Sequence, residues 1–340
     1  MKILICTPFD LSVPRGNAIA AGRLARGFNN RGHAAEILAG PDAVAEESVR
    51  RRLADARPDA VLVLQAAYSA GAVRAAAADG RARVVLALRG TDANEMLDDP
   101  AIGPAALEAI RLAHAVTVFN DVMRDAVAAR VPGKATALHV VPNGLEFPVS
   151  DVDYRSRLGV PRNAVVFAAL CGLRAVKRPV ELLEWLDPVV QRSPGLVLIH
   201  AGPVLEPEVG DRFHGMADAR PWVHRTGVIP HDETDSFLRA ADVYVSASRS
   251  EGMPHAVREA MAAGLPLLLS DIPGHRRMAA GAREAFFYDS PASFAAGALS
   301  LAGDPERRQA MGAAARERIE RELAGYSETD AYLALLSQPG

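Results

Sequence analysis

The chain has 340 residues, 49% hydrophobic and 23% charged, the proportions of a folded globular protein with more material than one core usually serves. Its 38 basic and 41 acidic residues leave a formal net charge of -3, which excludes an electrostatic case for nucleic acid as the main partner. No stretch approaches the ~18 apolar residues of a membrane span, and the opening run Ile3–Cys6 meets Thr7, Pro8, Asp10, Pro14 and Arg15 too soon for a signal peptide, so a cytosolic protein is expected.

In chain order, Lys2–Thr7, Ala34–Leu38, Ala60–Leu64, Val84–Leu88, Ala115–Val118 and Ala137–Val141 read as strands. Alanine-rich segments with helical spacing lie between them, and Arg50, Arg51 and Arg52 read as the solvated face of one such helix. Apolar strands alternating with helices predict a parallel sheet covered on both faces. After Pro148 the pattern breaks at Val149–Asp153 and then repeats, with Val165–Leu170, Leu196–Ala201, Trp222–Thr226, Val243–Ala247, Pro266–Ser270 and Ala285–Tyr288 as strands. The expectation is α/β, two Rossmann-like doubly wound domains over residues 1–150 and 151–324, facing each other across a cleft. Ser327–Leu336 reads as a terminal helix with Ser327 as N-cap and Tyr332 and Leu335 on one side. Cys6 and Cys171, one in each half, are expected as buried reduced thiols.

The chemistry concentrates in residues 246–275. After the strand ending at Ala247, Pro254 suits the first turn of a helix running from Ala256 to Ala263, which Gly264 closes as a left-handed cap. Backbone N–H groups around Gly252 and Met253 present the positive end of that helix. Glu251 in the loop and Glu259 in the second turn form a carboxylate pair suited to vicinal hydroxyls, not chiefly to phosphate.

This segment resembles the signature of family-4 retaining glycosyltransferases, S-x-x-E-G-x-x-x-x-x-x-E-A-M-A-x-G-x-P-V, through Ser248, Glu251-Gly252, Glu259-Ala260-Met261-Ala262, Gly264 and Pro266. The resemblance implies the GT-B fold and a nucleotide-diphosphate sugar (UDP- or GDP-sugar) as donor, with no cofactor and no metal. It implies that Glu259 grips the ribose, while Glu251 with the Gly252 and Met253 amides and Pro254 holds the donor sugar. It gives Lys177 and Arg174 to the growing charge of the leaving diphosphate. The commoner family pattern would put that arginine where Leu173 stands.

In the first half, Gly16 and Asn17 occupy a loop that usually carries two glycines and approaches phosphate. Arg89 replaces a histidine that contacts the donor sugar in many relatives. It either tunes sugar choice, binds an anionic acceptor, or pairs structurally with Asp92. Val140–Gly144 resembles the interdomain V-I-P-N-G element, with Asn143-Gly144 a turn. His224–Pro230 resembles the strand and loop where backbone at Val228 or Ile229 reads the base. Asp271–His275 is expected at the cleft as well, with His275 either near phosphate or, by preference, a surface histidine.

A small-molecule, glycan or lipid-linked acceptor is expected near Gln65, Tyr68, Arg89 and Asp92. In relatives the last helix crosses back onto the first domain, so residues 325–340 are expected to do so here. Gly16-Asn17 and Gly90-Thr91-Asp92 are loosely similar to selenosugar synthases, and the Ser250–Met253 stretch to poorly understood animal and bacterial transferases. The acceptor stays open. An epimerase of the same fold and a non-catalytic sugar-nucleotide-binding protein are the other readings.

Overall fold

A run such as Ala60–Leu64, with no polar residue, has no face to give to water, so it is buried on both sides of a sheet. A computed structural model describes residues 1–12, 16–94, 96–146, 149–279 and 281–338, and Pro14, Arg15 and Pro148 lie outside them. The chain divides into two compact units, Met1–Gly144 with Gly325–Gly340, and Leu145–Ala324.

The first unit holds β1 (Lys2–Thr7), β2 (Ala34–Ala39), β3 (Ala60–Leu64), β4 (Arg83–Ala87), β5 (Ala115–Val118) and β6 (Leu138–Val140), in the order β2-β1-β3-β4-β5-β6. The second holds β7 (Val165–Leu170), β8 (Leu196–Ala201), β9 (Val223–Gly227), β10 (Val243–Ser246), β11 (Leu267–Ser270) and β12 (Ala285–Tyr288), in the order β12-β11-β10-β7-β8-β9. Every pairing is parallel. Each strand lies within one residue of its sequence expectation at either end.

In the second unit Phe167, Leu183, Leu186, Leu198, Phe213, Val245, Leu268 and Phe294 form one core. In the first, Ile3, Ile5, Leu24, Phe28, Leu62 and Val85 close around Tyr332, Leu335 and Leu336 from the terminal helix Glu328–Leu336. That helix starts where expected, with Ser327 accepting from the Asp330 N–H, and it belongs to the first unit. Gly325 makes the entry turn at φ +73°. Gly27 lets the helix come close, because a Cβ there would stand 2.3 Å from Thr329 Oγ1. The Arg23 Nε donates to Glu328 Oε2 at 2.9 Å and Nη2 lies 2.8 Å from the same oxygen, with both side chains buried.

Two local expectations fail. Asn143-Gly144 is not a turn; residues 141–146 are irregular, Asn143 is buried, and Gly144 packs against Glu328. Cys171, expected buried, is half-buried in the loop just beyond β7. Both cysteines are free thiols, and burial raises Cys6 to about 12 and Cys171 to about 11. Among the described residues, no helix is long and apolar enough to cross a membrane.

Candidate active site

In the second sheet the chain steps outward from β7 to β8 and β9, then returns to the other side of β7 for β10. β7 and β10 therefore flank the topological switch point of the sheet, and the loops leaving their carboxyl ends lie side by side. The first loop carries Arg174 and Lys177 and the second carries Ser248–Pro254. Their backbones are tied by the Arg249 N–H donating to Val176 C=O at 2.8 Å.

Across this tie Lys177 Nζ donates to Glu251 Oε1, and Ser248 Oγ donates to the same oxygen at 2.8 Å. The pair is largely enclosed, with side-chain exposures of 15% and 12%. Burial pushes the Glu251 carboxyl up, but the Lys177 charge and hydrogen bond, helped by His275 and Ser248, bring it below the usual carboxylate value. Lys177 therefore meets a carboxylate within the protein, and a ligand diphosphate would have to share it.

Behind Glu251 lies His275, fully buried, which corrects the expectation of a surface histidine. Its Nδ1 stands 2.8 Å from the Ser270 carbonyl, which can only accept, so Nδ1 carries the proton. Nε2 is then the acceptor and faces Ser246 Oγ at 3.3 Å, with Ser248 Oγ 3.3 Å further along. Burial lowers the His275 pKa, favouring the neutral ring. The surface reading failed because Pro273 starts a short helix, Pro273–Met278, that turns His275 inward.

The helix His255–Ala262 begins one residue early, with Pro254 as its non-helical N-cap instead of a first-turn residue. Its end is as expected: Gly264 at φ +76°, with Gly264 N–H to Met261 C=O at 2.9 Å and Leu265 N–H to Ala260 C=O at 3.0 Å. Glu259 is buried, its Oε1 4.0 Å from His231 Nδ1. Met253 and Pro254 are buried and Gly252 half-buried. Val228 is exposed while Ile229 is buried. Arg174 is half-buried, and its Nε has no hydrogen-bond partner among the described residues.

The first unit has a switch point of its own between β1 and β3. Asn17 Nδ2 donates to Gln65 Oε1 at 3.4 Å, and Arg89 Nε donates to Asn17 Oδ1 at 3.3 Å. Gln65 holds φ +69°, a conformation uncommon for a non-glycine residue. Gly16 opens the helix Gly16–Asn30, and a Cβ on it would meet nothing. The structural pairing of Arg89 with Asp92 is not a side-chain ion pair. Asp92 accepts backbone N–H groups from Ala66 at 3.0 Å, Arg89 at 2.7 Å and Ala93 at 3.1 Å. Buried at the start of a short helix, it meets amides before it can reach the guanidinium, which stacks on Phe119 at 4.9 Å.

Residues 153–318, nearly the whole second unit, match the family described as Glycosyl transferases group 1. The second unit carries the domain of that family. Among curated proteins it is similar to Glycosyltransferase 1 domain-containing protein 1 of Xenopus tropicalis, 25% identical over 73% of this chain and 74% of that one. It is also similar to an alpha-maltose-1-phosphate synthase of Mycolicibacterium smegmatis, 29% identical over 64% of this chain and 61% of that protein's length. Among solved structures, Anabaena Alr3699/HepE in complex with UDP and glucose superposes with a TM-score of 0.80 at 17% identity, each chain covered to 99%. The fold is GT-B, as expected.

Two residues that shape these loops, Arg178 and Gly202, were missed in the sequence. Arg178 takes a left-handed conformation, φ 49° and ψ 48°, immediately before Pro179, where a non-glycine residue is disfavoured. It is held there by its Nε donating to Ala247 C=O at 2.5 Å and by stacking on Trp185 at 5.0 Å. Gly202, at φ +150°, lets the loop after β8 touch the loop after β7; a Cβ would stand 2.0 Å from the Cys171 carbonyl oxygen. Gly274 does the same for Glu251, whose carbonyl oxygen would lie 2.3 Å from its Cβ. Asp271–His275 was expected at the site, and Gly274 is what brings that segment against Glu251. Gly274→Ala is expected to cost about 1–3 kcal/mol of stability by overpacking and to weaken donor binding by displacing Glu251. Urea denaturation and a UDP titration of the variant measure the two effects separately.

Proposed function

We propose that the chain transfers a hexose-type sugar from a UDP- or GDP-sugar to an acceptor with retention of anomeric configuration, and that it needs no metal. The observation that carries this reading is the Lys177–Glu251 pair at the switch point of the second sheet, beside Arg174. Glu251 accepts from sugar hydroxyls, assisted by the Gly252 and Met253 amides and the Pro254 turn. Lys177 and Arg174 face the diphosphate, whose negative charge grows as the glycosidic bond breaks. The unmet Arg174 N–H supports that assignment.

Glu259 holds the ribose, and the backbone of Val228 and Ile229 reads the base. In the first unit Arg89, with Gly16 and Asn17, supplies acceptor contacts. Retention follows when the leaving diphosphate takes the acceptor's proton on the face it leaves, so no dedicated base is required. Among the described residues no group of three or more His, Cys, Asp or Glu side chains could hold a metal ion; in this reading Lys177 and Arg174 take that part.

A panel of nucleotide sugars screened by thermal shift, then product analysis by mass spectrometry, tests the reading. A UDP- or GDP-sugar should stabilise the protein, and Glu259→Ala should weaken nucleotide binding about 10-fold or more. Glu251→Ala should abolish measurable transfer, and excess EDTA should leave the wild-type rate unchanged. Intact transfer by Glu251→Ala would remove that residue from the site. An epimer formed without any acceptor would favour the epimerase, and tight donor binding with no product the non-catalytic reading.

A further inference from the structure

Three buried polar atoms at the carboxyl ends of the first sheet have no hydrogen-bond partner among the described residues. They are Arg89 Nη1 just after β4, Asn120 Nδ2 just after β5, and Thr7 Oγ1 at the end of β1. Two of these are obligate donors, and the third is a hydroxyl that can donate. Unmet buried donors cost free energy unless something accepts from them.

The acceptors of Asp92, Asn120 and Asn17 already take other donors. Asp92 accepts from three backbone amides, and the Asn120 oxygen caps the following helix through the Met123 N–H at 2.9 Å. The Asn17 oxygen already takes Arg89 Nε. Among the described residues no carboxylate forms an ion pair with Arg89, though Asp92 lies within reach of its charge; the guanidinium stacks on the Phe119 ring and hydrogen-bonds the Tyr332 hydroxyl, itself bonded to Thr117, and Nη1 stays unmet. The loop after β1 and the first turn of the helix Ala66–Asp79 after β3 add an apolar rim, with Phe9 edge-on to Tyr68 at 6.3 Å and Tyr68 exposed.

We propose that the first unit recognises an oxyanion on the acceptor, phosphate-like or carboxylate, through Arg89 with Asn120 and Thr7. This rests on the reading of the chain as a nucleotide-sugar transferase, in which the nucleotide elements all lie in the second unit. A cation with an excess of donors and no carboxylate partner selects for a ligand rich in acceptor oxygens, and the planar guanidinium binds such groups in pairs. The anionic group is a handle that positions a nucleophile; the apolar rim takes the body of the acceptor.

The test titrates inorganic phosphate into the full-length protein with UDP saturating, so that the nucleotide site is already filled. Phosphate should bind the wild type and bind Arg89→Gln about 10- to 100-fold more weakly, while UDP affinity is equal in both. Arg89→Lys should recover part of the loss. Glucose 6-phosphate, glucuronate and glucose as competitors then separate phosphate from carboxylate, with glucose expected to compete least. Equal phosphate binding by wild type and Arg89→Gln, or preference for glucose over both anions, overturns the proposal. Loss of UDP affinity in Arg89→Gln also overturns it, by giving the cation to the donor. Failure of the wild type to bind any nucleotide would instead sink the transferase reading beneath it.

Discussion

Lys177→Met is expected to reduce kcat/KM for sugar transfer by about 10²–10³-fold, the scale for removing one preorganised donor from a charge-developing site. Two effects act together. The diphosphate loses a cation as its charge grows, and the buried Glu251 carboxylate keeps the Ser248 hydroxyl but loses its ion pair.

The second effect has a sign that can be measured. In the wild type the Glu251 pKa lies below its ordinary value, so the pair's stabilisation is complete above the ordinary carboxylate range and is lost as pH falls through the lowered value. In Lys177→Met the burial that pushes this pKa up has less to oppose it. The acid limb of the pH–rate profile should therefore move to higher pH. Removing one partner of a buried pair also destabilises, by about 3–5 kcal/mol, so a second variant is needed to separate fold from chemistry. Lys177→Met with Glu251→Gln removes both charges and should recover much of the stability while remaining inactive. Transfer by Lys177→Met within about threefold of wild type would remove the lysine from the chemistry, since threefold corresponds to well under 1 kcal/mol.

The second large effect concerns the return of the chain to its first unit. Glu328→Ala should destabilise that unit by about 3–5 kcal/mol, because Arg23 would be left buried without its carboxylate. At ~2–4 °C per kcal/mol for a unit of this size, the fall in Tm is large enough to read by calorimetry. Replacing Arg23 and Glu328 together by Met and Leu should cost much less, or nothing, since apolar residues of similar volume need no partner. Equal losses in the single and double variants would show that packing of the helix, through Tyr332, Leu335 and Leu336, outweighs the ion pair.

Strand positions were legible because a strand buried on both faces must be continuously apolar, and the helices between are polar on one side. Ser327 was legible as a cap because capping is local: a side chain three residues from the N–H it accepts. The strand–loop–helix unit around Glu251 and Glu259 was readable for the same reason, as Pro254, Gly264 and the alanines between them govern a few residues of backbone. The burial of His275, the left-handed Arg178 and the capture of Asp92 by amides were not readable.

The sequence by itself determined two parallel α/β sheets, their strands, the glycosyltransferase signature and a terminal helix with one apolar side. Only the tertiary structure decided that Lys177 bonds Glu251, 74 residues away, that Asn17 joins Gln65 and Arg89, and that Glu328 reaches Arg23 across 305 residues. The physical reason is range. Propensity, capping and periodicity act over one or two turns of chain, whereas a side chain's partner is set by which loops the order of strands brings to one end of a sheet.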